Sequence, residues 1–338
     1  MPRARREKST PPKAPLSEND LIAWLRRRAG PAGTLIGDDA AILPGGWAVT
    51  TDTQIEEVHF VAGLDPALVA RRLMAVNLSD LAAMGAKPAF AFLVLAAPPG
   101  FDHRRFLDSL LNVARRHGIA LAGGDLARHA RLTTVLTLIG TKPSGGRWLR
   151  RDAARPGDTL WLGGTVAESA LGRHVLKAGA RIDGRSIVLP IEMGARDAAA
   201  ARRAVWRHLL PQPQLELGEW LGRRRRASAI DLSDGLSRDL ERLCRESGTG
   251  AEVERDRLPL ADRHRAVAER FGLDPFALAL SGGEDYVLLF SLPARVTPPE
   301  RFACTRIGRV TNGGLWLDTN RERIALSAAG WDHLELGG

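Results

Sequence analysis

Five short stretches place aspartates among glycines, alanines and hydroxyl residues, with no basic residue inside any of them. They are Ile36-Gly37-Asp38-Asp39-Ala40-Ala41, Thr50-Thr51-Asp52, Asn77-Leu78-Ser79-Asp80, Gly123-Gly124-Asp125 and Asp231-Leu232-Ser233-Asp234-Gly235. Each stands at the end of an apolar run or inside one. A carboxylate withdrawn from water without a compensating charge is costly, so the fold must either keep these groups wet or bring something positive among them. Asp oxygens with hydroxyls and a few carbonyls form the ligand set of a hard cation such as Mg²⁺. The reading that follows is one magnesium-rich site assembled from distant segments.

Composition narrows the partners. The 338 residues suit two domains, and 44% hydrophobic with 26% charged residues is a globular balance. The net charge of +9 comes from arginine runs at Arg3-Ala4-Arg5-Arg6, Arg26-Arg27-Arg28 and Arg223-Arg224-Arg225-Arg226. Such runs commonly form solvated faces. No aromatics interleave with them and no groove-reading motif is present, so nucleic acid is not the expected partner. Cys244 and Cys304 are isolated, which suits a reduced, cytoplasmic setting. Residues 1–16 are basic and proline-rich, lack the apolar core of a signal peptide, and read as a disordered tail. The longest apolar run, 89–97, is too short to span a bilayer, so no membrane association is expected.

Along the chain, Ser17-Glu18-Asn19-Asp20 caps an amphipathic helix ending at Arg26 to Arg28. Residues 47–52 read as a strand ending on Asp52. Pro66 opens a helix to about Met84, stopped by Gly85, with Asn77 and Asp80 on one face. A buried strand at 89–95, a helix at 101–117 and strands at 119–122 and 132–139 follow, the first of these two running straight into Gly123-Gly124-Asp125. The break at Lys142-Pro143-Ser144-Gly145-Gly146 sets the expected division into a domain of 17–146 and one of 147–338. The second half predicts strands at 159–162 and 227–230, a helix opened by Gly163-Gly164-Thr165, another after Gly235, a strand at 286–290, and a closing hairpin around Asn312-Gly313-Gly314. The whole reads as α+β, with mixed sheets, flanking helices and the site in a cleft between the domains. Leu78-Ser79-Asp80 and Leu232-Ser233-Asp234 form a faint echo, one per half.

The chain has no Walker A loop, protein-kinase signature, nucleophile elbow or His-rich zinc spacing. Carboxylates cannot bind phosphate, but they can hold the Mg²⁺ that does, and glycine pairs let a backbone approach phosphate closely. Together these suggest metal-carried nucleotide chemistry. Each piece has a plainer alternative. Asp38-Asp39 suits an Asx turn, Ser233-Asp234-Gly235 a helix N-cap, and Gly282-Gly283-Glu284-Asp285 a hairpin turn. His59 suits an ordinary packed histidine, and Trp331 suits simple packing of the C-terminus.

In this order, the motifs resemble the thiamine-monophosphate kinase family of the aminoimidazole-ribonucleotide synthetase-like superfamily. The resemblance runs from about Leu21 to His333 and rests most on residues 36–39, 75–85, 123–125, 231–235 and Ser281-Gly282-Gly283-Glu284-Asp285-Tyr286. It implies a two-domain fold that dimerises through the N-terminal sheet. It also implies direct transfer of the terminal phosphoryl group of ATP to thiamine monophosphate, several Mg²⁺ ions, and no general base. By this resemblance Asp39, Thr50, Thr51, Asp52, Asp80, Asp125, Asp231 and Asp234 would hold metal. Gly124, Asp125, Arg151 and Ser233 would meet ATP, with Arg151 as a charge stabiliser, and His59, Glu284 and Trp331 would meet the acceptor. Glu57 stands where the family commonly has a small residue. Two other readings remain: another ATP-using synthetase of the superfamily, and a basic nucleic-acid-binding module.

Overall fold

The computed structural model describes residues 17–143, 145–184 and 186–330; Trp331 and the 1–16 segment lie outside them. The first sheet has five strands in the order β1-β2-β5-β3-β4. These are β1 (Ala41–Leu43), β2 (Trp47–Ile55), β3 (Lys87–Ala97), β4 (Ala120–Arg128) and β5 (Thr133–Thr141). Only β3 and β4 run parallel, joined through helix α3 (His103–Arg116). Pro88, which cannot donate to a ladder, sits where the β3–β5 register shifts.

Helix α1 (Glu18–Arg28) begins with the expected capping box between Ser17 and Asp20. Helix α2 (Pro66–Ala83) is the central element. Asp65 caps it, Pro66 occupies its first turn, and Gly85 leaves it at φ +63°. It is apolar on every side and buries almost its whole length. It packs against β2, β5 and α3 on one side and against the second half of the chain on the other.

That second half is built on a seven-stranded sheet ordered β14-β13-β10-β12-β6-β11-β9. Its strands are β6 (Thr159–Leu162), β9 (Ser228–Asp231), β10 (Gly250–Glu254), β11 (Leu288–Leu292), β12 (Thr305–Thr311), β13 (Leu315–Asp318) and β14 (Arg323–Ala325). A two-stranded ribbon, β7 (Arg181–Asp183) with β8 (Ser186–Val188), stands apart. The flanking helices are α4 (Glu168–Lys177), α5 (Ala195–Leu209), α6 (Leu215–Gly222), α7 (Leu236–Ser247), α8 (His264–Arg270) and α9 (Pro275–Ser281). One continuous apolar cluster runs through both halves, from Ala40 to Leu317. The fold is α+β, as the alternation of strands and helices predicts.

Three local expectations need correction. Asn312-Gly313-Gly314 does not close a hairpin: β12 pairs antiparallel and β13 parallel with opposite edges of β10. The turn carries the chain across the end of β10, where a Cβ on Gly250 would lie 2.3 Å from the Gly313 carbonyl carbon. The strand expected at 119–122 does not end before Gly123-Gly124-Asp125 but continues through it as β4. The helix expected to open at Gly163-Gly164-Thr165 starts later, at Glu168.

Candidate active site

Three segments converge on the end of α2. Its last turns carry Ser79 and Asp80, β2 presents Thr50 and Asp52 on one face, the 36–40 loop brings Asp38 and Asp39, and β9 ends on Asp231. Carboxylate oxygens of Asp39, Asp80 and Asp231 all lie within 4.8 Å of one another. The Thr50 hydroxyl donates to Asp80 Oδ2 at 2.5 Å, and the Ser79 hydroxyl donates to Asp231 Oδ2 at 2.6 Å. The faint Leu-Ser-Asp echo thus links the halves: Ser79 of the first copy bonds the aspartate that opens the segment holding the second.

Burial and mutual repulsion dominate the electrostatics. The Asp80 carboxyl is held well above the usual range by burial and then by the charges of Asp52, Asp231 and Asp39. Burial followed by Asp39 does the same to Asp231, against the Ser79 hydroxyl and Arg151. Asp38 is pushed up to about 7, by burial first and Asp39 second. Arg151 counters them with a forked contact to Asp39, Nη2 to Oδ1 at 2.7 Å and Nε to Oδ2 at 3.2 Å. Burial opposes its charge, but Asp39 and Asp38 outweigh that and raise its pKa further. The hydroxyls of Ser228 and Ser247 both donate to the Arg151 carbonyl, fixing the short helical turn it starts.

A cleft of about 840 Å³ opens beside this cluster. Asp38, Asp52, Asp80, Arg151, Ser233, Asp234, His59 and Glu284 all line it, bringing most of the candidate residues to one cavity. The 231–235 and 282–286 loops are zipped together: the Glu284 and Tyr286 N–H groups donate to the carbonyls of Ser233 and Leu232. Asp234 pairs with Arg242, which also meets Asp239 at 3.1 Å. His59 accepts from the Ile55 N–H through Nδ1 at 3.0 Å. Helix α1 borders the cleft, with Arg26 bonded to the Ile36 carbonyl at 2.7 Å and to Glu246 at 3.1 Å.

The donor set fits a hard dication. It consists of clustered carboxylates with adjacent hydroxyls, burdened by repulsion, with Arg151 as the guanidinium in contact. Cysteine and histidine are not part of the cluster, so a softer metal has no claim on it.

Comparison with known proteins identifies the family. Residues 37–141 match the family described as AIR synthase related protein, N-terminal domain. Thiamine-monophosphate kinase of Salmonella typhimurium is 39% identical over 268 residues, covering 77% of this chain and 76% of its own length. The Escherichia coli K12 enzyme of that name is 36% identical, covering 88% and 91%. The chain belongs to the thiamine-monophosphate kinase family. Among solved structures of this family, AaThiL complexed with AMPPCP and TMP superposes with a TM-score of 0.81 at 28% identity, covering 94% of this chain and 97% of that one. The thiamine-monophosphate kinase of Stenotrophomonas maltophilia gives 0.69 at 33% identity, covering 90% and 98%.

Within this kinase fold the candidates differ in how they meet the cleft. Thr51 lines it, but its hydroxyl is turned to that of Thr137, 2.6 Å away. Gly124 and Asp125 lie on exposed edge strand β4 and do not line the cavity. Gly124 has no room for a side chain, since a Cβ would sit 1.8 Å from the Leu93 carbonyl oxygen. Sequence reasoning passed over Arg72, Asp239 and Arg242. Asp239 and Arg242 recur at helical spacing behind Asp234, a signal the sequence does hold. Arg72, beside Arg71, sits at a buried position of a largely apolar helix where a base is a poor match, which is the corresponding clue. Among the described residues no helix is long and apolar enough to cross a membrane.

Proposed function

We propose that the chain transfers the terminal phosphoryl group of ATP to the phosphate of thiamine monophosphate, giving thiamine diphosphate and ADP in a Mg²⁺-dependent reaction. The observation that carries this reading is the partly to fully buried cluster Asp39, Asp80 and Asp231, countered by the forked Arg151, beside an open cleft in a chain of this family. AMPPCP, an analogue of ATP, and TMP together occupy AaThiL.

The chemistry asks little of a base. A phosphate monoester has a second pKa of about 6, so the attacking oxygen is an anion at neutral pH. The obstacle is the approach of two polyanions and their in-line alignment. When bound, Mg²⁺ would supply the positive charge that makes this approach possible. Asp39, Thr50, Asp52, Asp80, Asp231 and Asp234 are the residues we assign to hold it, with Thr51 contributing through its backbone. Arg151 steadies charge on the transferring group, and Ser233 contacts ATP. His59 and Glu284 position the acceptor, Trp331 being assigned the same task by resemblance.

Gly124 and Asp125 are assigned to ATP and metal in an assembly of two copies. The support for a homodimer is the outward face of β3, where Phe90, Phe92 and Val94 are exposed. We further propose that the chain works as two units dividing near 146–147, in the cytoplasm, where Cys244 and Cys304 remain free thiols.

The test is direct: full-length protein with ATP, Mg²⁺ and thiamine monophosphate, products separated by chromatography. Thiamine diphosphate and ADP in equal amounts support the proposal. ATP turnover without thiamine diphosphate would move the assignment to a sister synthetase, and no ATP turnover would reopen the nucleic-acid-binding alternative.

A further inference from the structure

Among the described residues Arg72 is the largest wholly buried side chain, in the middle of α2. Burying a guanidinium is tolerable only when its donors are met. Here three separate segments meet them: Gln54 Oε1 of β2 at 2.9 Å, the carbonyl of His208 at the end of α5, and Oε1 of Glu284. Glu284 is the unusual partner. It sits at φ +59°, a conformation that side-chain-bearing residues rarely hold unless the surroundings impose it, and Tyr286 nearby is at +50°. Its other oxygen, Oε2, lies 3.5 Å from His208 Nδ1, and that ring is held in turn by the Ser169 hydroxyl at 3.1 Å. Burial keeps the His208 ring neutral, with its pKa lowered to about 3. The full positive charge touching the carboxylate is therefore that of Arg72. Glu284 still reaches the cleft, its side chain 16% exposed.

We propose that Arg72 is a positioning residue for acceptor recognition: it holds the Glu284 carboxylate charged and in one orientation at the cleft wall, where a cationic acceptor ring is bound. This rests on the thiamine-monophosphate reading, because the thiazolium ring of that acceptor carries the complementary charge. Arg72 is wholly buried and does not line the cleft, whereas Glu284 does. The groups that bear electrostatically on Glu284 are Arg72 from α2, His208 from α5, Arg173 from α4, His59 after β2, and Tyr286 in its own loop. Burial would raise its carboxyl, and the charge of Arg72 leads the effects that offset this, leaving it below the usual range.

The experiment is steady-state kinetics of the full chain with ATP, Mg²⁺ and thiamine monophosphate, comparing wild type with Arg72→Gln, Arg72→Lys, Glu284→Gln and the double glutamine variant. Arg72→Gln is expected to raise KM for the acceptor roughly tenfold or more while KM for ATP stays within about twofold. Glu284→Gln should do the same, and the double variant should be no worse than the poorer single one, because both remove one unit. In Arg72→Gln the acceptor KM, taken relative to wild type at each pH, should also fall as pH rises from 6 to 8.5, since the unsupported carboxyl then ionises late. Equal rises in both KM values, additive singles or a flat pH profile would show that Arg72 only braces the fold and overturn the proposal. Should Arg72→Gln fail to fold, Arg72→Lys, which keeps charge but loses the fork, must show the same acceptor-only effect at smaller size; its absence overturns the proposal equally. Wild type that ignores thiamine monophosphate would instead refute the functional reading, and this inference with it.

Discussion

Replacing Asp80 by asparagine separates a metal platform from a structural acid, because the two predict opposite changes in stability. In the folded chain, burial and the charges of Asp52, Asp231 and Asp39 all disfavour ionised Asp80, and the Thr50 hydroxyl opposes them. Each unit by which a buried carboxyl is raised costs its charged form about 1.4 kcal/mol. Asparagine has nearly the same shape and keeps an oxygen for the Thr50 hydroxyl, 2.5 Å away, but carries no charge. Metal-free Asp80→Asn should therefore be more stable than metal-free wild type, by about 1–3 kcal/mol at pH 8. The assay is urea unfolding in chelator, repeated with Mg²⁺ added. Mg²⁺ should stabilise wild type by mass action and the variant far less, and kinase turnover should be lost in the variant. A variant less stable than wild type in chelator, or one that keeps the full Mg²⁺ response, would refute the reasoning.

Three further outcomes follow from the same geometry. Arg151→Gln removes the forked contact to Asp39, so metal-free stability should fall by about 3 kcal/mol, with Mg²⁺ recovering part of it in the same unfolding assay. Asp285, buried and held by the N–H groups of Ala167 and Ser169, has its carboxyl raised by burial from 3.8 to about 7. A raised acid favours the folded state while protonated, so this contribution is complete below about pH 3.8 and is lost as pH climbs through 7. Unfolding midpoints in chelator should decline from pH 5 to 8, and Asp285→Asn should flatten that decline. Finally, Phe92→Asp on the exposed face of β3 should convert a dimer to a monomer in analytical ultracentrifugation; an unchanged dimer would place the interface elsewhere.

Much of the site was legible because its chemistry is local. Aspartates beside glycine, serine and threonine mark themselves as carboxylates without nearby bases, and the structure brings Asp39, Asp80 and Asp231 together from three such stretches. Helix boundaries were legible for the same reason, since the Ser17 capping box and Pro66 act within one turn. What sequence could not supply was long-range pairing. Asn312-Gly313-Gly314 has hairpin turn chemistry, but which strand accepts β13 depends on the open edge of β10, more than 50 residues earlier. Arg72 escaped notice because its meaning lies in acceptors from β2, α5 and the 282–286 loop, none adjacent in sequence. Thr51 was grouped with Thr50 and Asp52 by proximity, whereas its hydroxyl is turned to that of Thr137.

The central claim is that this cluster supports transfer of phosphate from ATP to an acceptor phosphate. Incubating the protein with Mg²⁺, thiamine monophosphate and ATP labelled in its terminal phosphate tests it most directly. The account predicts that the label is found in the terminal phosphate of thiamine diphosphate, and that chelator or Asp80→Asn abolishes this transfer. Label recovered only as inorganic phosphate, or transfer that persists in both controls, would contradict it.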